Sequence, residues 1–293
     1  MSGSVLSSST PGFWDRGGFW KSVLLGVAYA AIIFGAGQLV LALFRDGINL
    51  DDVFGDAQSV LLGLGLPIAL GGLAFVLFAA GIGWLRTLFA RQPELKRSWW
   101  MWILPIAVLA FNCLRFAATD YSQYDFSVVL SIIGVGLIVG FAEELVTRGF
   151  AVNLLRRAGY KEFAVATLSS LVFASTHLSN IAAMEASTVL LTFVYTFFFG
   201  IAMYFTLRVT RNLIWPMLLH ATTDPSLMLL TGGIDTEVDT ANQFGLVLIA
   251  GVANIVVILL AVVLMWFIRG QVDRYKAYGL EEPAAPVQGA VAS

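Results

Sequence analysis

Apolar positions along the chain gather into eight long runs, at about 22–44, 60–85, 99–118, 126–154, 162–178, 187–209, 213–230 and 244–268, and the stretches between them hold most of the charge. A hydrocarbon core about 30 Å thick takes roughly 20 apolar residues in helix. Each run therefore predicts one transmembrane helix. Runs such as VLLGLGLPIALGGLAFVLFAAGIGWL stay apolar on every face, whereas a membrane β-strand alternates apolar and polar over about ten residues. The expected fold is all-α, a polytopic bundle of about eight spans with loops too short for a soluble domain.

Composition agrees with that pattern. The chain is 58% hydrophobic and 12% charged, against roughly 25% charged residues in soluble domains. Positive charge is retained on the cytoplasmic side, and every Lys and Arg except Arg45 and Arg115 falls in, or toward, a tail or loop of one side. Both termini are expected to be cytoplasmic. Asp46, Asp51, Asp52, Asp56, Asp120, Asp125, Glu185, Asp235, Glu237 and Asp239 fall in or beside the opposite loops. The first run is longer than the roughly 7 to 15 apolar residues of a cleaved signal, so it is expected to remain as an anchor. Cys113 is the single cysteine, which leaves no intramolecular disulfide and a packing role. The chain divides into a disordered tail (1–19), three N-terminal spans (20–125), a core (126–230), a loop with the last span (231–268) and a disordered cytoplasmic tail (269–293).

Ionisable side chains at membrane depth cost at least about 2.5 to 3.5 kcal/mol on insertion scales and mark functional sites by default. Here they concentrate in three later runs: Glu143, Glu144 and Arg148 in the fourth, His177 in the fifth, His220 and Asp224 in the seventh. With about 1.5 Å of rise per residue, Glu143 lies roughly 16 Å, His177 roughly 22 Å, His220 roughly 12 Å and Asp224 roughly 18 Å from the cytoplasmic ends of their runs. Three helices thus bring two imidazoles and their carboxylates to one level, in a cavity expected to open toward the cytoplasm.

Spacing separates their roles. Glu144 and Arg148 stand at i and i+4 in the favourable acid-first order and are expected to neutralise each other. Glu143 is turned about 100° away and has no partner of its own, so it is the better candidate for chemistry. His220 and Asp224 also stand at i and i+4, so the carboxylate is expected to hold one ring nitrogen and fix the tautomer presented by the other. Pro225 disfavours helical geometry at Asp224, and a kink there would open space beside the site. Gln38, Asn112 and Asn254 are expected to be structural. Arg115 is expected to snorkel to the outer interface, Phe173 to be a packing wall, and the run YTFFFG with Trp99, Trp100 and Trp102 to be lipid-facing or interfacial.

EELVTR (143–148), FASTH (173–177) and HATTD (220–224) resemble, in order and in membrane context, the motifs EExxxR, FxxxH and HxxxN or HxxxD of the CAAX prenyl protease and bacteriocin-processing (CPBP, or Abi) family of intramembrane proteases. The resemblance covers about 126–230. It implies an endopeptidase that hydrolyses a peptide bond in a membrane-associated peptide or protein at or within the bilayer; a bacterial cell membrane is the expected location, and no nucleic-acid partner is expected. In the eukaryotic branch the family removes the last three residues of a prenylated CAAX protein. Carried over, Glu143 is the activator of water, His177 its partner, His220 with Asp224 the group that stabilises the oxyanion or binds a metal, and Glu144 and Arg148 shape the site.

Two mechanisms are open. Zinc or another divalent metal could be held by His177, His220 and Glu143, with water in an open position. Otherwise Glu143 and His177 activate water without metal, while the group around His220 donates to the oxyanion. An ionised aspartate at 224 accepts but does not donate, which favours the metal, whereas the HExxH arrangement of many zinc proteases is absent. Two other classes compete: a proton-coupled transporter or channel, since carboxylate and histidine chains mark proton pathways, and a non-catalytic immunity or scaffold protein of the same fold.

Overall fold

The computed structural model describes residues 12–178, 185–232 and 244–280. Among them the chain is helical, without a strand. The long helices are α1 (Phe19–Phe44), α2 (Ala57–Gly81), α3 (Trp99–Ala118), α4 (Phe126–Arg157), α5 (Glu162–Thr176), α6 (Ala186–Thr210), α7 (Ile214–Thr231) and α8 (Phe244–Met265). Each coincides with one of the apolar runs. Five of them, α1 to α4 and α6, are long and apolar enough to cross a membrane. The chain is an integral, multi-pass membrane protein. The acidic loop residues Asp235, Glu237 and Asp239 lie outside the described residues.

Local chemistry sets the ends and bends of these helices. Asp56 caps α2, its carboxylate accepting from the Ser59 amide at 2.8 Å and the Ser59 hydroxyl at 2.6 Å, which satisfies donors that a helix start leaves orphaned. Both α2 and α4 contain π-helical turns, Leu61–Gly65 and Leu145–Ala151; such turns are often found at functional sites, and the second overlaps the EELVTR motif.

The contact that positions the site is α4 against α7. A β-carbon added at Gly140 would lie 2.5 Å from the Met217 carbonyl oxygen and 2.7 Å from the Ala221 nitrogen, and one at Gly136 would lie 2.1 Å from Cγ of Pro225. Small residues let two membrane helices approach this closely. Helix α7 continues through Pro225, whose ring fills the space that Gly136 leaves.

Two expectations about single side chains change. Arg115 does not snorkel: it is buried, donating to Asn112 Oδ1 at 3.1 Å and to Asn254 Oδ1 at 2.8 Å. Asn112 in turn donates to Thr222 and Thr223, so polar partners inside the bundle replace the interface and tie α3 to α7 and α8. Cys113, expected to pack, is exposed on the outer face of α3.

The expected disordered tails, where described, are docked. Trp14 meets the Phe78 ring edge-on at 5.1 Å, and Asp15 accepts from Arg157 at 2.9 Å and from Trp84 Nε1 at 3.1 Å. Gly17, at φ 64°, turns the chain so closely onto Leu154 that a β-carbon would sit 2.2 Å from that carbonyl. Small and breaker residues make this segment look unstructured, but two anchor side chains and one glycine fix it. At the other end Glu162 N donates to Gly270 O, and Gln271 to Gly159 O.

Beneath these tails lies a buried polar cluster. Glu162 receives Arg156 through two bonds of 2.9 and 2.8 Å and the Tyr204 hydroxyl at 2.5 Å. Arg208 joins through Tyr204 at 3.0 Å and reaches the carbonyls of Lys96 and Arg269. Arg156 and Arg208, which in sequence read as loop charges, are buried because a bidentate carboxylate and backbone carbonyls satisfy them.

Candidate active site

The residues expected to act are brought together by α4, α5 and α7. Glu144 is wholly buried, and one of its oxygens, Oε1, accepts from two groups: Arg148 Nη1 at 3.1 Å and His220 Nδ1 at 2.9 Å. A carboxylate oxygen bonded to Nδ1 places the proton on that nitrogen. His220 then turns Nε2 toward two further carboxylates, Asp224 Oδ2 at 3.6 Å and Glu143 Oε2 at 3.7 Å.

Exposure separates the two sides of this ring. Glu144 and Arg148 are 0% exposed and His220 3%, but Glu143 is 15% and Asp224 27% exposed. The inner carboxylate orients and the outer pair is reachable.

Aromatic rings hold the arrangement. Phe173 meets His177 edge-on at 4.9 Å and His220 at 5.7 Å, and the Arg148 guanidinium stands over its face at 4.7 Å. Phe199 meets His220 from α6 at 4.9 Å. Phe173 is thus the packing wall that was expected. Phe199 corrects the reading of YTFFFG as lipid-facing: it is buried and fixes the tilt of His220. The period of α6 alone offered no signal, because the helix is apolar on all sides.

His177 lies just past the end of α5, and its Nδ1 stands 3.1 Å from the Phe173 carbonyl. A carbonyl only accepts, so Nδ1 carries the proton and Nε2 keeps a lone pair. On the Glu143 side, the Thr147 hydroxyl donates to the Glu143 carbonyl at 2.6 Å and secures the backbone at the start of the π-turn. An apolar groove of about 400 Å³ between α1 and α5 ends at Ser175 and Thr176, next to His177.

Two details differ from the sequence reading. Glu144, rather than Asp224, holds Nδ1 of His220, because the i+4 carboxylate on the same helix reaches only the far side of the ring. Glu143, expected to have no partner, faces that same Nε2. Helical spacing fixes neighbours along one helix but not the order in which helices from different runs meet.

The residues were also expected to hold a metal as His177, His220 and Glu143. Among the described residues no three His, Cys, Asp or Glu side chains are grouped as a metal site requires. Nδ1 of both histidines is engaged, which leaves Nε2 as the ring atom open to a ligand, but the side chains as placed are not gathered around one ion.

The site defines a class: a helical membrane protein with a buried Arg–Glu–His relay and two accessible carboxylates. The family described as type II CAAX prenyl endopeptidase, Rce1-like, matches residues 125–225, the segment that carries Glu143, Glu144, Arg148, His177, His220 and Asp224. Through this segment the chain is similar to the CAAX protease family. No curated protein matches the chain.

Proposed function

We propose that the protein hydrolyses a peptide bond in a membrane-associated peptide or protein with water activated by Glu143. The family match over residues 125–225 supports a CAAX-type endopeptidase acting in the membrane. The observation that carries the finer reading is the division of labour among the carboxylates: Glu144 is consumed by Arg148 and His220, while Glu143 stays partly open at Nε2 of the same ring.

The chemistry runs through this chain's own groups. Glu143 takes a proton from water as the oxygen attacks the scissile carbonyl carbon, and His177 Nε2 orients that water as an acceptor. The carbonyl π-bond opens to an oxyanion. His220, protonated on both nitrogens and held through Nδ1 by Glu144, donates from Nε2 to that oxyanion, the form of stabilisation that contributes most in acyl transfer. Glu143 returns its proton to the departing nitrogen as the oxyanion collapses to a carbonyl and the C–N bond breaks, leaving a carboxylic acid and an amine, which exchange the acid proton to become carboxylate and ammonium. Asp224 steadies the charged ring from the open side. The apolar groove beside His177 suits a substrate approaching from the bilayer.

The test is mass spectrometry of a farnesylated CAAX peptide incubated with detergent-purified protein. Release of a C-terminal fragment by wild type, absent with Glu143→Gln, is the expected result. An intact peptide with folded wild type, or equal release by both proteins, overturns the reading and leaves proton transport by the same residues as the better account.

A further inference from the structure

Tyr29 lies in the middle of α1, outside the segment that matches the family. It is 2% exposed, and its hydroxyl has no hydrogen-bond partner among the described protein groups. A buried hydroxyl left unpaired is costly, and phenylalanine would keep the ring without that cost. A phenol at such a place calls for an explanation.

Its surroundings supply one. Neighbouring glycines of α2 touch Tyr29 and the catalytic helix: a β-carbon at Gly71 would lie 3.4 Å from Tyr29 Cε2, and one at Gly72 would lie 3.1 Å from Cβ of Ala142, the residue before Glu143. Phe75, one turn on, meets Tyr29 edge-on at 5.7 Å and Phe150 of the π-turn at the same distance. Glu143 and Glu144 are near enough to the buried Tyr29 hydroxyl to bear on its charge. Glu144 mirrors its need: Oε1 carries two donors, whereas Oε2 is buried without one.

We propose that Tyr29 is a positioning residue of the site, its hydroxyl donating to the free oxygen of Glu144, directly or through one internal water, in the working enzyme. The bond would fix the plane of the Glu144 carboxylate, and with it the aim of His220 Nε2 at the reacting carbonyl. The relay then runs from α1 through α4 to α7, so the first helix, which lies outside the family's segment, completes the site. The inference rests on the peptidase reading of Glu143 and His220.

The test compares Tyr29→Phe with wild type and Glu143→Gln on the farnesylated CAAX peptide, together with melting temperature in detergent. The expected result is a loss of about tenfold in kcat with KM unchanged and a melting temperature no higher than wild type, since the variant keeps the ring and removes only a donor. Unchanged kcat with a raised melting temperature would show an idle, unsatisfied hydroxyl and overturn the proposal. Tyr29→Leu, which also removes the ring, separates packing from donation: if its kcat matches that of Tyr29→Phe in the folded fraction, the hydroxyl is what matters, and if only Tyr29→Leu loses rate, packing is. Should Glu143→Gln cleave as fast as wild type, the peptidase reading fails. A dead Glu143→Gln beside an unaffected Tyr29→Phe refutes the role of Tyr29 alone.

Discussion

Replacing Glu144 by Gln removes one charge and almost no volume, and its consequences can be worked from two bonds. Glu144 Oε1 is the acceptor for both Arg148 Nη1 and His220 Nδ1, and neither Glu144 nor Arg148 is exposed. Removing one partner of a buried pair leaves the other charge uncompensated, at about 3 to 5 kcal/mol. The amide oxygen of Gln still accepts one donor, so the lower end, ~3 kcal/mol, is expected. That is a large part of a total stability of about 5 to 15 kcal/mol. Turnover should fall on a separate scale: removing an outer residue that orients an active imidazole costs about 10- to 100-fold, or roughly 1.4 to 2.7 kcal/mol of barrier. Intrinsic tryptophan fluorescence in detergent reports melting, and the farnesylated peptide reports turnover. The double variant Glu144→Gln/Arg148→Gln separates the two effects. It removes both charges and should regain much of the stability, but not the turnover, because His220 still lacks its carboxylate. Wild-type melting and turnover in Glu144→Gln would refute the relay.

Other parts of the account predict different signatures. Gly140→Leu places a side chain where backbone atoms stand 2.5 and 2.7 Å from the first added carbon; overpacking costs about 1 to 3 kcal/mol, and loss of both melting temperature and activity is expected, with an unchanged melting curve counting against the close α4–α7 contact. Cleavage should survive a chelator, and elemental mass spectrometry should show no stoichiometric zinc; zinc present in wild type and lost in both His177→Ala and His220→Ala would install the metal mechanism instead. The bonds from Ser59 hold the Asp56 carboxyl below its ordinary value of 3.8. Its folded-state affinity for protons is thus the lower one, so its stabilisation is present above that ordinary value and lost as pH falls through the folded one. Asp56→Ala should melt below wild type at pH 7 and converge with it in acid; a difference independent of pH would contradict the cap.

The bundle was legible because bilayer physics leaves few choices: long apolar runs become helices, and eight runs meet eight helices among the described residues. The site was legible because ionisable residues are rare in such runs, so Glu143, Glu144, Arg148, His177, His220 and Asp224 stood out. What escaped was the geometry between helices. Arg115 resembled a snorkelling side chain because Asn112 and Asn254 are far apart in sequence, and nothing in α3 alone announces that Asn254 faces it. Phe199 and Tyr29 were hidden by the same chemistry that made the spans visible, since an aromatic ring in an apolar helix looks alike whether it faces lipid or a histidine. The assignment of Glu144 to the Nδ1 side of His220 required knowing how α4 faces α7, which the glycines at 136 and 140 decide through packing rather than through any periodic pattern.

The measurement that bears most directly on the central claim is the single-turnover rate of Glu143→Gln on the farnesylated peptide, with folding verified by an unchanged melting curve. Gln keeps the shape of Glu143 and its place near His220 but has no basic oxygen to take a proton from water. The account predicts a rate lower by at least about two orders of magnitude, as removal of a general base commonly costs. A folded Glu143→Gln that cleaves at the wild-type rate would contradict it.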